Sequence, residues 1–125
     1  VGITTWVGIV VFTIGFLYEA VADSQLAGFK RDPKNKGKIL QSGLWKSSRH
    51  PNYFGESLVW FGLSAMSLGY PWGWLALISP AVITYLLLFV SGIPIQEKGK
   101  NQNPAWREYA DKTPKFVPFI GSKKY

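Results

Sequence analysis

Cysteine is absent from all 125 residues, which excludes disulfides, thiolate metal ligands and cysteine nucleophiles. Histidine occurs once, at His50, so a metal site built on several imidazoles is excluded too. Acids are scarce: seven Asp and Glu against fourteen Lys and Arg leave a net charge of +7. Charged residues of either sign make up only 17% of the chain, below the roughly 25% of an ordinary soluble domain. With 47% hydrophobic residues, that shortage excludes a disordered chain, which needs the opposite balance. The first residue is Val rather than Met and lies inside an apolar run, so the chain is expected to belong to a longer or processed protein.

The largest absence is local. No charged residue occurs in residues 57–96. At about 1.5 Å per helical residue, ~20 residues cross ~30 Å of hydrocarbon, so this stretch has the length of two crossings. Gly69-Tyr70-Pro71-Trp72-Gly73 interrupts it with turn formers and with aromatics suited to a headgroup interface. Helices are expected over about 52–69 and 72–94, the second kinked at Pro80. A further apolar span at about 1–22 carries one charge, Glu19, and lacks the basic start of a signal peptide. The expected fold is therefore all-α and integral to a membrane, a single domain with about three transmembrane helices, a basic loop and a short amphipathic helix over about 104–111. Small residues recur seven apart, at Gly8 and Gly15 and at Gly55, Gly62 and Gly69, lining one face of each helix for close packing.

The bases lie between the spans. Residues 24–52 carry seven Lys or Arg against Asp32, and the tail from 97 to 125 carries seven more, Lys123 and Lys124 among them. Three crossings put both stretches on one side, which the positive-inside rule makes cytoplasmic, or matrix in a mitochondrion. Membrane lipid is the expected partner. The lysines flank apolar spans and no nucleic-acid module is visible, so nucleic acid is excluded.

One polar block stands out, from Ser42 to Glu56. Pro51 suits the first turn of a helix, with Ser48 or His50 as its cap. Asn52 and Glu56, at i and i+4, then share a face with Tyr53 beside them. Arg49 and His50 precede the helix where its unpaired N–H groups point, an arrangement that attracts phosphate or carboxylate. The alternative is that Glu56 pairs with a nearby base and merely anchors the helix. Glu19 and Asp23 either pair with the basic loop or line the same cavity. Trp106 and Tyr109 share one face of the tail helix and either lie on the membrane surface or cover a cofactor.

Asp23-Ser24-Gln25, Phe29-Lys30, Gly37-Lys38, Ser42-Gly43-Leu44-Trp45 and Arg49-His50-Pro51-Asn52-Tyr53-Phe54-Gly55-Glu56 resemble the C-terminal domain of steroid 5α-reductase-like membrane proteins. Ser91-Gly92-Ile93-Pro94, Glu97-Lys98, Tyr109, Thr113 and Phe116-Val117-Pro118 continue the pattern, so the likeness covers about residues 15–120. The resemblance implies NADPH-dependent reduction of a lipid or steroid double bond. The same superfamily holds isoprenylcysteine carboxyl methyltransferases, so S-adenosylmethionine is the alternative cofactor. A third reading is a non-catalytic subunit of a larger membrane complex, with no cofactor. By resemblance Arg49, His50, Asn52, Tyr53 and Glu56 line the cofactor pocket, with Trp45 and Tyr109 beside them and Gln25, Lys30 and Lys38 contributed by the preceding stretch. A mouth bearing Lys30, Lys38, Lys46, Arg49 and His50 suits the more anionic NADPH. This assignment requires Arg49 and Glu56 to border one hollow. Two departures stand against it: Gly99-Lys100-Asn101-Gln102-Asn103 replaces the family's usual arginines, which weakens the second wall, and the helices that complete the substrate chamber lie upstream of this domain.

Overall fold

The computed structural model describes residues 2–119; Val1, Lys123 and Lys124 fall outside them. Its elements are helical, with no strand among the described residues. Helix α1 (Ile3–Arg31) runs 29 residues, about 43 Å, well past the expected end near residue 22. Asp23-Ser24-Gln25 does not stop it, because no helix breaker follows before Pro33. Lys30 and Arg31 in its last turn complement the negative end of the helix dipole. Helix α2 (Leu44–Ser47) is a single turn, and α3 (Pro51–Met66) returns antiparallel to α1.

The glycine spacing in the sequence sets the α1–α3 crossing. A Cβ on Gly62 would stand 2.4 Å from Phe12 N and 2.8 Å from Gly8 O, and one on Gly15 would stand 2.7 Å from Gly55 O. The two backbones therefore touch where Gly8 meets Gly62 and Gly15 meets Gly55, as close-packed membrane helices do. Gly69 lies beyond this contact, nearest to Thr4.

The hairpin after α3 turns at Trp72, which adopts a left-handed φ of 63°. Only glycine fits next, since a Cβ on Gly73 would lie 1.7 Å from Ser67 O. A 3₁₀ stretch, Gly73–Leu77, leads into α4 (Ile78–Phe89). Pro80 does not kink this helix. It sits in the first turn of α4, where its missing N–H costs nothing. Ser64 Oγ donates to Ala76 O at 2.8 Å, tying the 3₁₀ stretch to α3, and Thr84 Oγ1 donates to Ser57 Oγ at 3.2 Å, tying α4 to α3. The chain continues through α5 (Ile93–Gln96) to α6 (Pro104–Lys112), whose start is capped by the Asn103 side chain accepting from Ala105 N. Residues 113–119 then follow bends and turns rather than the extended form the prolines favour.

Two segments, Ile3–Arg31 and Gly73–Gln96, are long and apolar enough to cross a membrane. Little of either is buried, and Trp6, Val10, Ile14, Val82, Tyr85 and Phe89 stand more than half exposed or nearly so. So much uncovered apolar surface belongs in lipid rather than water. The third expected crossing, α3, has 16 residues, about 24 Å, short of the hydrocarbon thickness.

Candidate functional site

The end of α1, the loop after it, the start of α3 and α6 enclose a cleft of about 670 Å3. That volume lies within the range of small-molecule and cofactor sites. Five bases border it, Lys30, Lys36, Lys38, Arg49 and Lys100, against one acid, Asp32. The floor is aromatic. Trp45 is oriented by an indole N–H donated to Ala22 O at 3.0 Å, and Tyr109 donates its hydroxyl to Trp45 O and Ser48 O. Burial raises the Tyr109 hydroxyl above its ordinary pKa, which keeps it a donor. Trp106 meets Tyr109 edge to face, and the Lys100 ammonium lies 4.6 Å from a Trp106 ring centroid. Desolvation there lowers the Lys100 pKa. The tail aromatics therefore cover the cleft, and the membrane-surface alternative for them does not hold.

Arg49 and His50 do not stand open at the helix start. Arg49 is only 1% exposed, and its Nη1 meets Glu97 Oε1 at 3.1 Å. The other Glu97 oxygen accepts from His50 Nε2. Burial holds the imidazole below its ordinary pKa, against the upward pull of the Glu97 hydrogen bond. His50 also stacks on Tyr53. The return segment fixes this corner from outside: Arg49 N donates to Pro114 O, and Ser48 Oγ donates to Phe116 O. Neither Ser48 nor His50 caps α3 with its side chain; the Ser48 hydroxyl accepts from His50 N instead.

Of the residues expected at the site, Lys30, Lys38, Trp45, Arg49, His50, Asn52, Tyr53 and Tyr109 line this one cleft. Gln25 and Glu56 do not. Gln25 accepts from Leu44 N at 3.0 Å and packs on Gly43, whose φ of 62° leaves no room for a Cβ there, so its role is to cap α2. Glu56 turns toward α1, within the electrostatic reach of Glu19. Arg49 and Glu56 thus fail to share a hollow, so the expected basis of the cofactor assignment falls, and any such assignment must rest instead on the lysines and aromatic floor of the cleft. The acid beside Arg49 is Glu97, contributed from 48 residues away rather than seven. Lys46 is also absent from the cleft and borders a second hollow behind α2. The second wall is present despite its altered sequence, built from Gln96, Lys100, Asn103 and Trp106. Local spacing did not reveal Glu97. Its signals are that it is the first charge after forty uncharged positions and that Glu97-Lys98 belongs to the family pattern.

Two polar atoms at the cleft remain without a partner among the described residues, Asn52 Oδ1 and Trp106 Nε1, although both are buried. An unmet buried donor or acceptor costs about 1–3 kcal/mol, which makes these two atoms candidates for a ligand's hydrogen bonds. The lining is basic and polar over an aromatic floor, which suits an anionic group.

These features define a helical membrane domain with a basic, aromatic-floored cleft at the end of its first helix. Residues 1–113 match a family described as "Protein of unknown function (DUF1295)", and the chain belongs to that family. Among curated proteins it is similar to Steroid 5-alpha-reductase DET2 of Gossypium hirsutum, 36% identical over 67 residues, which is 54% of this chain and 24% of the relative. The Delta(14)-sterol reductase of Arabidopsis thaliana is 28% identical over 131 residues, 91% of this chain and 33% of the relative. Probable O-methyltransferase ustE of Ustilaginoidea virens is 36% identical over 66 residues, 53% of this chain and 23% of the relative. The chain spans about a quarter to a third of the length of these proteins. No solved structure matches it.

Proposed function

We propose that the chain is the cofactor-binding part of a membrane-embedded reductase that acts on a lipid or steroid double bond and uses NADPH. The observation carrying this reading is the cleft itself, which four lysines border together with an unpartnered acceptor on Asn52 and an unpartnered donor on Trp106. When bound, NADPH supplies hydride to a double bond conjugated with a carbonyl. Lys30, Lys36 and Lys38 from one wall and Lys100 from the other meet phosphate oxygens as point charges. Asn52 accepts from an amide or hydroxyl, Trp106 donates to an oxygen, and Tyr53 and Trp45 offer aromatic surface. Arg49 and His50 act from below, held rigid by Glu97 so that Asn52 and Tyr53 keep their directions. Bilayer embedding follows three crossings with both basic stretches on one side, α3 being a short crossing that a locally thinned bilayer accommodates.

Titration of the detergent-solubilised chain with NADPH, NADH and S-adenosylmethionine tests the reading. Saturable NADPH binding is expected, and Lys38→Ala or Lys100→Ala should each weaken it about fivefold, the worth of one solvated charge pair. No saturation up to millimolar NADPH by a folded chain overturns it. A methyltransferase is the second reading, favoured by the likeness to the fungal protein named as one. S-adenosylmethionine binding that NADPH does not displace would select it.

A further inference from the structure

Behind α2, on the side away from the cleft, lies a second hollow of about 380 Å3 that the reductase reading does not use. The single turn of α2 separates the two: Trp45 faces the cleft, whereas Leu44 and Lys46 face the hollow. Its other walls are Tyr18, Gly43, Ser47, Pro118 and Phe119, and no acid lines it among the described residues. Three of its features are unexplained by folding. Lys46 is exposed and has no ion-pair partner among the described residues. The Tyr18 hydroxyl is buried without a hydrogen bond, while its ring sits edge-on to Phe54. Phe119 is held at a left-handed φ of 67°, its N–H donating to Ser47 O at 3.0 Å, and its side chain is 82% exposed. A bulky residue at positive φ costs free energy, and here the cost leaves an aromatic ring standing outward instead of packed.

The hollow also has a definite level in the membrane. Tyr18 lies one turn before Ala22, at the point where α1 changes from wholly apolar to charged residues. In a membrane crossed by the apolar part of α1, this point would fall at the boundary between acyl chains and headgroups. An unpaired lysine, a phenol hydroxyl, an outward aromatic and apolar walls at that level match one kind of molecule. We propose that the hollow holds the phosphate and upper acyl region of an anionic phospholipid. Lys46 faces the phosphate, and Leu44, Pro118 and Phe119 cover the first methylenes. Free inorganic phosphate would meet the same lysine but would leave those apolar walls wet. The site is independent of the cofactor cleft, so its occupancy and NADPH binding can be read separately.

The test reconstitutes the full chain in nanodiscs of phosphatidylcholine with a minority of phosphatidylglycerol, followed by native mass spectrometry of the released protein. Preferential retention of phosphatidylglycerol is expected. Lys46→Gln should cut that retention about fivefold, the effect of one lysine near a membrane surface, while NADPH affinity stays unchanged. Lys112→Gln, an exposed lysine elsewhere, should leave retention as it was. Equal retention by the native chain and Lys46→Gln, equal loss in Lys112→Gln, or no preference over phosphatidylcholine would each overturn the proposal. Displacement of the lipid by excess inorganic phosphate would overturn it in favour of a free-anion site.

Discussion

Glu97→Gln is the change that separates a buried electrostatic core from an ordinary surface pair. The substitution keeps the shape of the side chain but removes the carboxylate that meets Arg49 Nη1 at 3.1 Å and accepts from His50. Arg49 is 1% exposed, so water cannot replace the lost charge. Breaking a buried pair from one side costs about 3–5 kcal/mol. The Gln carbonyl still accepts one hydrogen bond from the guanidinium, which places the expected cost at the lower end. A loss of about 3 kcal/mol lowers the folded-to-unfolded ratio by roughly two orders of magnitude. Replacing both partners, Arg49→Met with Glu97→Leu, leaves no stranded charge, only the buried His50 N–H without its acceptor, and should cost about 1–3 kcal/mol, less than the sum of the singles. The assay is reversible unfolding in mixed micelles with rising dodecyl sulfate, followed by tryptophan fluorescence. Arg49→Met and Glu97→Leu, made singly and together, form a cycle. Additivity of the two single losses to within ~0.5 kcal/mol would show that Arg49 and Glu97 are not coupled, and the description of this corner would fail.

His50 predicts a pH dependence. Its folded pKa lies below the ordinary 6.5, so the unfolded chain takes up a proton that the folded one excludes. Stability is complete above about 6.5 and falls as the pH drops from there toward the depressed folded value; His50→Gln should flatten that fall in the same micelle assay, and an unchanged slope would exclude His50 as its source. Gly62→Ala should force α1 and α3 apart, because the added Cβ meets the Phe12 backbone rather than a flexible side chain. Overpacking of this kind costs about 1–3 kcal/mol, whereas Gly28→Ala, with open space around it, should be neutral or stabilising. Comparable midpoints for the two variants would remove the glycine crossing as the organising contact.

The parts of this molecule that were legible in the sequence are those governed by short-range periodicity. The heptad glycines announced which faces of α1 and α3 touch, because a missing Cβ has the same consequence wherever the backbone approaches. The uncharged run announced an apolar hairpin, because hydrocarbon imposes composition directly. Lys30, Lys38, Trp45, Asn52, Tyr53 and Tyr109 reached the cleft because each sits at a helix end or on a loop that the apolar helices carry there. Helix spacing failed at Glu56. The i, i+4 rule puts it on one face with Asn52, yet the close packing of Gly55 on Glu19 turns that face partly into the α1 contact, and Glu56 goes with it.

Glu97 shows the physical reason for the remaining gap. A buried arginine must be compensated, but its own neighbourhood in sequence does not say from where. Here the partner arrives at the far end of the apolar hairpin, one residue after α5, so that the path of α4 and α5 decides where the carboxylate lands. The same contact joins the end of the second apolar segment to the start of α3. Movement of the second apolar segment against α3 therefore bears on Arg49 and His50 through Glu97. Asn52 lies within one turn of them and bears the unpartnered oxygen, so the direction of that acceptor depends on how the hairpin sits in the bilayer. The orientation of Arg49, His50 and the Asn52 acceptor is accordingly tied, through Glu97, to the position of the second apolar segment.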